Sequence, residues 1–346
     1  MSNHNPASIE EICSKIAGIP SSKPINKTVL LTEVTKALQF LQQEKLVCEA
    51  DDDLLWDNEN EQEHYTITRK GIAFKSYVIS ADSYHIIQDA VKCLFENNNC
   101  YILDYFLKLS ECSEIEVFCR NLFIQKPERI EYADESALND FTSFMILAET
   151  TLPLLYEMGY ISENLYHSFF ISDSYEQFQR IIENTTNEEQ SAALSLSNSD
   201  YNYLTHFKIA LYATLWISGY SLGLINDIAG WTNGRVDNIR SKFGEKMSYI
   251  TDAAEIVVSS NSDTEQSELL KQISLALFYG IRLDWLRKEN IKELQPDLAR
   301  YYHLASIYSV RKSYLETNGT PDQIQEFDKE FSYLDDRVKK IIIERM

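Results

Sequence analysis

A line of cationic side chains on a predicted helix is the feature of this 346-residue sequence with the clearest chemistry. Arg235, Lys242 and Lys246 lie within about 40° of one another around the axis if their segment is helical, and Arg240 lies to one side. An apolar stripe lies about 100° away, so one face is buried and the adjacent face carries the cations. Such a line can follow the backbone of a single-stranded nucleic acid; the alternative is an ordinary solvated surface.

The charge of the whole chain would normally argue against a nucleic-acid partner. The formal net charge is −21, and a protein of that sign repels a polyanion. The excess acid is concentrated in residues 81–202, which carry 6 basic and 21 acidic side chains. Residues 203–310, which contain the cationic helix, carry 11 basic and 12 acidic side chains. This nearly neutral region can still hold a polyanion.

Side chains for enzymatic chemistry do not assemble into a site in the sequence. There is no Gly-rich phosphate loop and no carboxylate-rich box after an apolar strand, so we expect no nucleotide hydrolysis by this chain alone. The six histidines are scattered, without a nucleophile, base and orienting group. The six cysteines lack the close paired spacing of zinc sites and fit small core residues in a reducing cytoplasm. We therefore predict a cytoplasmic protein that is not an enzyme and holds no metal or cofactor.

The chain is also not expected to enter a membrane. It opens without a signal peptide. The uncharged run over residues 209–225 contains Thr, Ser and Gly and is short for a bilayer span. It therefore predicts a buried helix.

The first 80 residues follow the order helix, helix, hairpin, helix, which is typical of a winged helix. Apolar residues at helical spacing predict a helix over residues 8–19 and a second one through Leu41. Alternating residues predict strands over 46–49 and 65–68, and Gly71 marks the turn into a third helix.

The second predicted helix carries the residues that would read DNA. A nucleic-acid role would place Thr32, Thr35, Lys36 and Gln39 in a major groove. The segment between the two strands, residues 49–64, opposes this role because it carries eight carboxylates and no Lys or Arg. A wing of that charge repels phosphate. We therefore favour packing or protein docking over duplex reading for this winged helix.

The rest of the chain reads as a succession of helices, and the predicted fold class is mainly α with one small β-hairpin. We place a winged-helix domain over residues 1–82, an acidic helical segment over 83–202, a helical domain over 203–310 and a C-terminal helix over 311–346. The acidic segment is expected to end in a mobile connector rich in Ser, Asn and Glu, from Glu183 to Asp200. Pro153 is expected to kink or end its helix.

The C-terminal segment carries an apolar seam. Thr320, Pro321 and Asp322 predict a helix start with proline in the first position. Apolar residues then recur at intervals of four and three: Phe327, Phe331, Leu334, Val338 and Ile341. Three roles stay open for this seam: folding back onto the body, docking a partner protein, or joining copies of the chain into a homo-oligomer.

Several of these segments together resemble the accessory half of HelQ-type repair helicases, in the Ski-like branch of superfamily two. The matches to its winged helix are Thr68, Gly71, Ile79 and Ser83. The matches to its ratchet domain and terminal helical hairpin are Trp216 and Ile217, the segment 234–257, Tyr279, Gly280 and Ile281, and Ala299 and Arg300. The resemblance implies that residues 203–310 form a ratchet-like domain with a degenerate helical hairpin. It also implies that segment 234–257 lines a channel for single-stranded DNA.

The chain departs from that family in ways that change the expected function. No motor lobes precede the winged helix, so the expected partner is a helicase, ATPase or nuclease encoded separately. Ala81 stands where the family has proline, and Gln295 and Pro296 replace a glycine before the hairpin. Lys246 stands where the family carries a Trp, and Arg240 is only a near neighbour of its Arg. Contact with the nucleic-acid backbone is therefore expected rather than base stacking.

Three functions follow as expectations. The preferred one is a non-catalytic accessory subunit that guides nucleic acid or docks onto the separate helicase or nuclease, in DNA repair or defence against foreign DNA. The alternatives are a winged-helix DNA-binding regulator and a scaffold that binds only proteins. They differ in whether single strands, one duplex sequence or proteins alone are bound.

Overall fold

The protein is mainly α, as the sequence predicts. A computed structural model describes residues 6–18, 26–49, 64–77, 79–95, 99–118, 135–185, 197–220, 244–259, 264–279, 282–287, 320–323, 325 and 329. These residues form thirteen helices and one three-stranded antiparallel sheet. The chain divides into two compact units, residues 1–79 and residues 80–346.

The first unit has the strand order of a winged helix. Its elements are β1 (Ala7–Ser8), α1 (Ile9–Ala17), α2 (Lys27–Gln43), β2 (Val47–Glu49), β3 (His64–Ile67) and α3 (Arg69–Lys75). The strands lie in the order β1-β3-β2, with Val47 opposite Ile67 and Ala7 opposite Tyr65. The hairpin is the predicted one, and the short β1 is an addition that the sequence did not indicate.

Capping side chains explain where the first two helices begin. Ser8 and Glu11 form a reciprocal capping box at the start of α1, and the Asn26 side chain accepts the Thr28 N–H at 3.0 Å at the start of α2. The core of the unit contains Val34 and Leu38 from α2 and Tyr65 from β3. Since α2 has no other buried residue, most of its surface stays open.

A polar latch joins the third helix to the end of α2. The Thr68 hydroxyl donates to the carbonyls of Lys45 and Leu46, at 2.8 and 3.1 Å, and accepts the Gly71 N–H at 3.0 Å. A Cβ on Gly71 would lie 2.0 Å from the Leu46 carbonyl oxygen, so only glycine allows this approach. Gly71 is the third residue of α3, so it lies inside this helix rather than at the predicted turn.

The second unit contains the remaining described helices. They are α4 (Ala81–Leu94), α5 (Ile102–Leu109), α6 (Ser113–Phe118), α7 (Glu135–Glu157), α8 (Glu163–Phe170), α9 (Asp173–Thr185), α10 (Asn198–Ser218), α11 (Glu245–Ser259), α12 (Thr264–Tyr279) and α13 (Leu283–Leu286). Helix α7 does not end at Pro153 but continues to Glu157. The boundary predicted between residues 202 and 203 falls inside this unit.

Helix α10 forms the centre of the second unit. Fourteen of its 21 residues are buried, and it contacts α5, α12 and α13. A capping box between Ser197 and Asp200 begins it, and Gly219 ends it with a φ of 93°. The predicted burial of the uncharged run is confirmed through Ile217, and residues 221–225 lie outside the described part of the chain. Within the described ranges, no helix is long and apolar enough to span a bilayer.

Two predicted segments are described only in part. The ends of the expected connector are helical, since Glu183 belongs to α9 and Asp200 to α10, while residues 186–196 lie outside the described part. At the C-terminus the predicted helix start is confirmed: Pro321 is helical, and the Gln323 N–H donates to the Thr320 hydroxyl at 3.4 Å. All five residues of the apolar seam lie outside the described residues.

Candidate functional site

Most of the predicted cationic line falls outside the described residues. This applies to Arg235, Arg240 and Lys242, which stay predictions. Lys246 is the second residue of α11, and its side chain is half-buried. Lys246 therefore lies at the start of α11, and its role in guiding a strand stays a prediction.

The start of α11 lies at a junction of three helices in the second unit. The Trp216 ring of α10 is buried, and its Nε1–H donates to the Leu277 carbonyl of α12 at 2.9 Å. A Cβ on Gly244 would lie 2.6 Å from the same carbonyl oxygen and 3.6 Å from Trp216 Nε1. Trp216 therefore joins helices and does not face a ligand. Gly244 lets the chain that enters α11 pass close to both groups.

The predicted recognition face of α2 is open. Thr32, Lys36 and Gln39 are exposed and Thr35 is half-buried. The two threonine hydroxyls donate to carbonyls one turn back, Thr32 to Thr28 at 3.0 Å and Thr35 to Leu31 at 2.9 Å. The Lys36 ammonium pairs with Glu33 at 2.9 Å. The face is accessible, and its one cation is already partnered.

Apolar and basic groups border this face. Val29 is 58% exposed and Leu31 is 46% exposed, and the two residues lie on different sides of α2. At the other end of α2, the Lys70 ammonium donates to the Glu44 carbonyl at 3.1 Å, and burial lowers the pKa of Lys70 against the opposing effect of Glu44. Residues 50–63 of the predicted acidic wing lie outside the described part of the chain.

Several residues on which the resemblance to HelQ-type helicases depends make hydrogen bonds or close contacts within their own unit. Thr68 and Gly71 form the latch onto the end of α2. Ser83 is buried at the start of α4, where its hydroxyl donates to the Glu114 carboxylate; the Ser80 N–H donates to the same carboxylate at 2.8 Å. Burial alone would raise the pKa of Glu114, but these hydrogen bonds together lower it below its ordinary value. Gly280, Ile281, Ala299 and Arg300 lie outside the described part of the chain.

The structure joins a serine and a histidine that sequence reasoning did not connect. Ser110 Oγ at the end of α5 lies 3.1 Å from His206 Nδ1 of α10. The same hydroxyl donates to the Leu107 carbonyl at 2.6 Å, and Ser110 is fully buried. A nucleophile has to reach its substrate, and this serine is fully buried. The pair therefore connects α5 to α10.

Acidic side chains also meet between α11 and α12. Glu255 accepts a hydrogen bond from the Ser267 hydroxyl and pairs with Lys271 at 3.3 Å. Burial raises the pKa of Asp252, the Ser274 hydroxyl lowers it, and nearby Glu255 raises it further. In the part of the chain that the structure describes, no group of three or more His, Cys, Asp or Glu side chains is arranged to hold a metal ion. The cluster serves to pair the two helices.

A surface row of aromatic rings is the site that sequence reasoning missed. We call Tyr156, Tyr166, Phe170 and Tyr175 the aromatic ladder; they come from α7, α8 and α9. The four-residue spacing of Tyr166 and Phe170 was the signal that could have indicated part of it. The other two rings join only through the packing of three helices.

No protein-family model matches this chain, and no curated protein matches it. The resemblance to HelQ-type helicases stays a prediction from the residues named in the sequence analysis. The geometry offers two accessible surfaces for function in the described residues: the open face of α2 and the aromatic ladder.

Proposed function

We propose that this protein is a non-catalytic accessory subunit, acting in the cytoplasm beside a separately encoded helicase or nuclease in DNA repair or defence against foreign DNA. The observation that carries the proposal is the winged-helix unit, in which α2 precedes the hairpin and presents Thr32, Lys36 and Gln39 to solvent. In helix-turn-helix proteins the second helix, which corresponds to α2, is the recognition helix that contacts the nucleic acid.

The chemistry of α2 favours protein docking over phosphate binding. Lys36 is paired with Glu33, so this part of the face supplies little net positive charge. Exposed Val29 and Leu31 add apolar area, which suits a protein surface more than a phosphate backbone. We therefore assign strand guidance to the cationic line at Arg235, Lys242 and Lys246, and partner contact to the winged helix.

Binding of labelled single-stranded and duplex DNA at two salt concentrations tests strand guidance. We expect the triple variant Arg235→Ala, Lys242→Ala and Lys246→Ala to bind single strands at least about tenfold more weakly than wild type. The slope of log affinity against log salt should fall in magnitude by about 2, since each lost phosphate contact removes about 0.7.

The matched control removes the same charge elsewhere, through Lys15→Ala, Lys75→Ala and Lys92→Ala, all at exposed positions. This control should keep near wild-type binding. Equal single-strand affinity of wild type and the cationic-line variant at low salt would overturn strand guidance.

A DNA-binding regulator is the second candidate, and the exposed hydroxyl and amide groups on α2 favour it. Thr and Gln side chains can read base edges in a major groove. In that case Thr32→Ala and Gln39→Ala would abolish selection of one duplex sequence from a random pool, while the cationic-line variant would leave the selected sequence unchanged. Selection of no duplex sequence by the wild-type protein excludes this candidate.

A further inference from the structure

The aromatic ladder is a continuous row across three helices. Tyr156 and Tyr166 stack with ring centroids 4.6 Å apart. Phe170 meets Tyr166 edge to face at 5.1 Å and Tyr175 at 5.0 Å. These are the distances of favourable aromatic pairs. The four rings therefore form one continuous row, in which Tyr156 is exposed and Tyr166, Phe170 and Tyr175 are half-buried.

Buried groups hold the ladder rigid from beneath. Phe169 is fully buried, lies 5.4 Å from Phe170 and stacks on Phe207 of α10 at 4.9 Å. The Tyr175 hydroxyl donates to Glu149 at 2.6 Å, and burial together with this carboxylate raises the pKa of Tyr175 to about 12. Since these side chains are already ordered, a partner would lose little conformational entropy on binding them.

The exposed apolar area includes one ladder ring and the residue that follows Phe170 in the chain. Ile171, which directly follows the last residue of α8, is 82% exposed, and Tyr156 is 39% exposed. Exposed apolar area beside paired aromatic rings is typical of surfaces that bind another molecule.

The charge of the same segment decides which molecule fits. Between residues 141 and 183 the carboxylates are Glu149, Glu157, Glu163, Asp173, Glu176 and Glu183, and Arg180 is the single Lys or Arg. The Arg180 guanidinium pairs with Glu176. Bases of a single strand could stack on the rings, but these carboxylates would repel its phosphates. Lys and Arg side chains are attracted both to the carboxylates and to the tyrosine faces.

We propose that the aromatic ladder and Ile171 form a docking site for a basic segment of a partner protein, in which Lys or Arg residues alternate with apolar anchors. The inference adds a second partner-contact surface to that of the winged helix. It rests on the partner-docking part of the proposed function and does not require strand guidance. An amphipathic basic helix has this pattern, with anchors at intervals of three and four residues.

The test uses the full chain and a fluorescein-labelled helical peptide of roughly 15 residues, with Leu and one Trp at helical spacing and Lys and Arg between them. Fluorescence anisotropy gives its affinity for wild type, for Tyr156→Ser with Ile171→Ser, and for Glu157→Lys with Glu163→Lys. All four positions are exposed, so these variants should fold, and circular dichroism checks that they do.

Two matched controls separate this site from general attraction to an acidic protein. Tyr249→Ser with Ile72→Ser removes the same two residue types at exposed positions of α11 and α3, and Glu265→Lys with Glu268→Lys changes the net charge as much as the ladder charge variant does. We expect each ladder variant to weaken peptide binding about tenfold or more relative to its control. Equal loss in ladder variants and controls overturns the proposal.

If the aromatic ladder binds something other than a basic protein segment, the experiments give different results, and each of these results overturns the proposal. A labelled oligothymidylate that binds wild type but not the Tyr156→Ser and Ile171→Ser variant would identify a nucleic-acid stacking surface. A wild-type dimer that this variant converts to monomer in sedimentation would identify a contact between copies. Loss of DNA binding by the cationic-line variant is measured separately, so failure of strand guidance is distinguishable from failure of docking.

Discussion

Helices α2 and α10 are both long, yet they use their surfaces in opposite ways. In α2, which has 17 residues, only Val34 and Leu38 are buried. In α10, which has 21 residues, fourteen are buried on all sides. A helix that is apolar all round belongs to a core, whereas a helix with a narrow apolar stripe leaves a face for other contacts. Function at α2 therefore needs no rearrangement, while a ligand at α10 would have to displace the core.

The largest expected effect comes from opening the core at α10. We expect Trp216→Ala to destabilise the second unit by about 3–5 kcal/mol, because it leaves a cavity and removes the donor to the Leu277 carbonyl. Hydrogen exchange should show lost protection in α10, α11 and α12, with α1 to α3 unchanged. Trp216→Phe keeps most of the ring and should cost about 1–3 kcal/mol. Equal loss of protection in both units would contradict a core confined to the second unit.

In the first unit the most sensitive position is the latch rather than the face of α2. We expect Gly71→Ala to destabilise this unit by about 1–3 kcal/mol, because the added methyl group meets the Leu46 carbonyl. Gly18→Ala is the matched control, since Gly18 has a right-handed backbone conformation and a Cβ there would lie 3.5 Å from the Lys15 carbonyl oxygen. Urea unfolding followed by hydrogen exchange measures both; similar losses would show that the close approach at Gly71 does not matter.

The carboxyl group of Asp252 makes the stability of the second unit depend on pH. Burial raises the pKa of its carboxyl, so the ionised form costs stability above the pH range where Asp ordinarily titrates. This loss of stability disappears as the pH falls through the raised pKa of Asp252 towards the pKa that Asp has in an unfolded chain. We expect Asp252→Asn to raise Tm at pH 7 by on the order of 1 °C and to have no such advantage near about pH 3. Glu265→Gln, at an exposed position, should change Tm little; an Asp252→Asn gain independent of pH would contradict the electrostatic cause.

The smallest expected effect is on the open face of α2. Lys36→Ala with Gln39→Ala should change the free energy of unfolding by no more than about 0.5 kcal/mol, since both side chains are exposed and the pair of Lys36 with Glu33 lies at the surface. Binding to the partner, or to DNA, is the property we expect to change. A large loss of stability would show that this face is covered in the folded protein and would remove the contrast with α10.

Sequence patterns within a few residues predicted the helices and strands that depend on nearby residues alone. The hairpin, helix α2 and the proline at the start of the C-terminal helix follow from alternation, apolar spacing and backbone chemistry. Burial of α10 followed from its uncharged run, although its partners did not. Helix α7 continued through Pro153 because Leu152 and Leu155, on either side, are buried in the core, and packing outweighs a lost backbone hydrogen bond.

Features that join distant segments could not be predicted in this way. Strand β1 has two residues and exists because Ala7 and Ser8 pair with Tyr65 and His64 of β3. Ser110 and His206 lie 96 residues apart, and the aromatic ladder needs three helices in one arrangement. The cationic line at Arg235, Lys242 and Lys246 stays a prediction from the sequence.

The contact between Ser110 and His206 makes this imidazole a spectroscopic reporter. Ser110 has a single hydroxyl proton, which its 2.6 Å hydrogen bond directs to the Leu107 carbonyl. While that proton stays in the bond to Leu107, a hydrogen bond between Ser110 Oγ and His206 Nδ1, which are 3.1 Å apart, requires Nδ1 to be the donor. In ¹⁵N-labelled protein this tautomer has a bonded Nδ1–H and a bare Nε2, which differ in chemical shift. Its signal would report separation of α5 from α10 at a single nucleus, without any mutation.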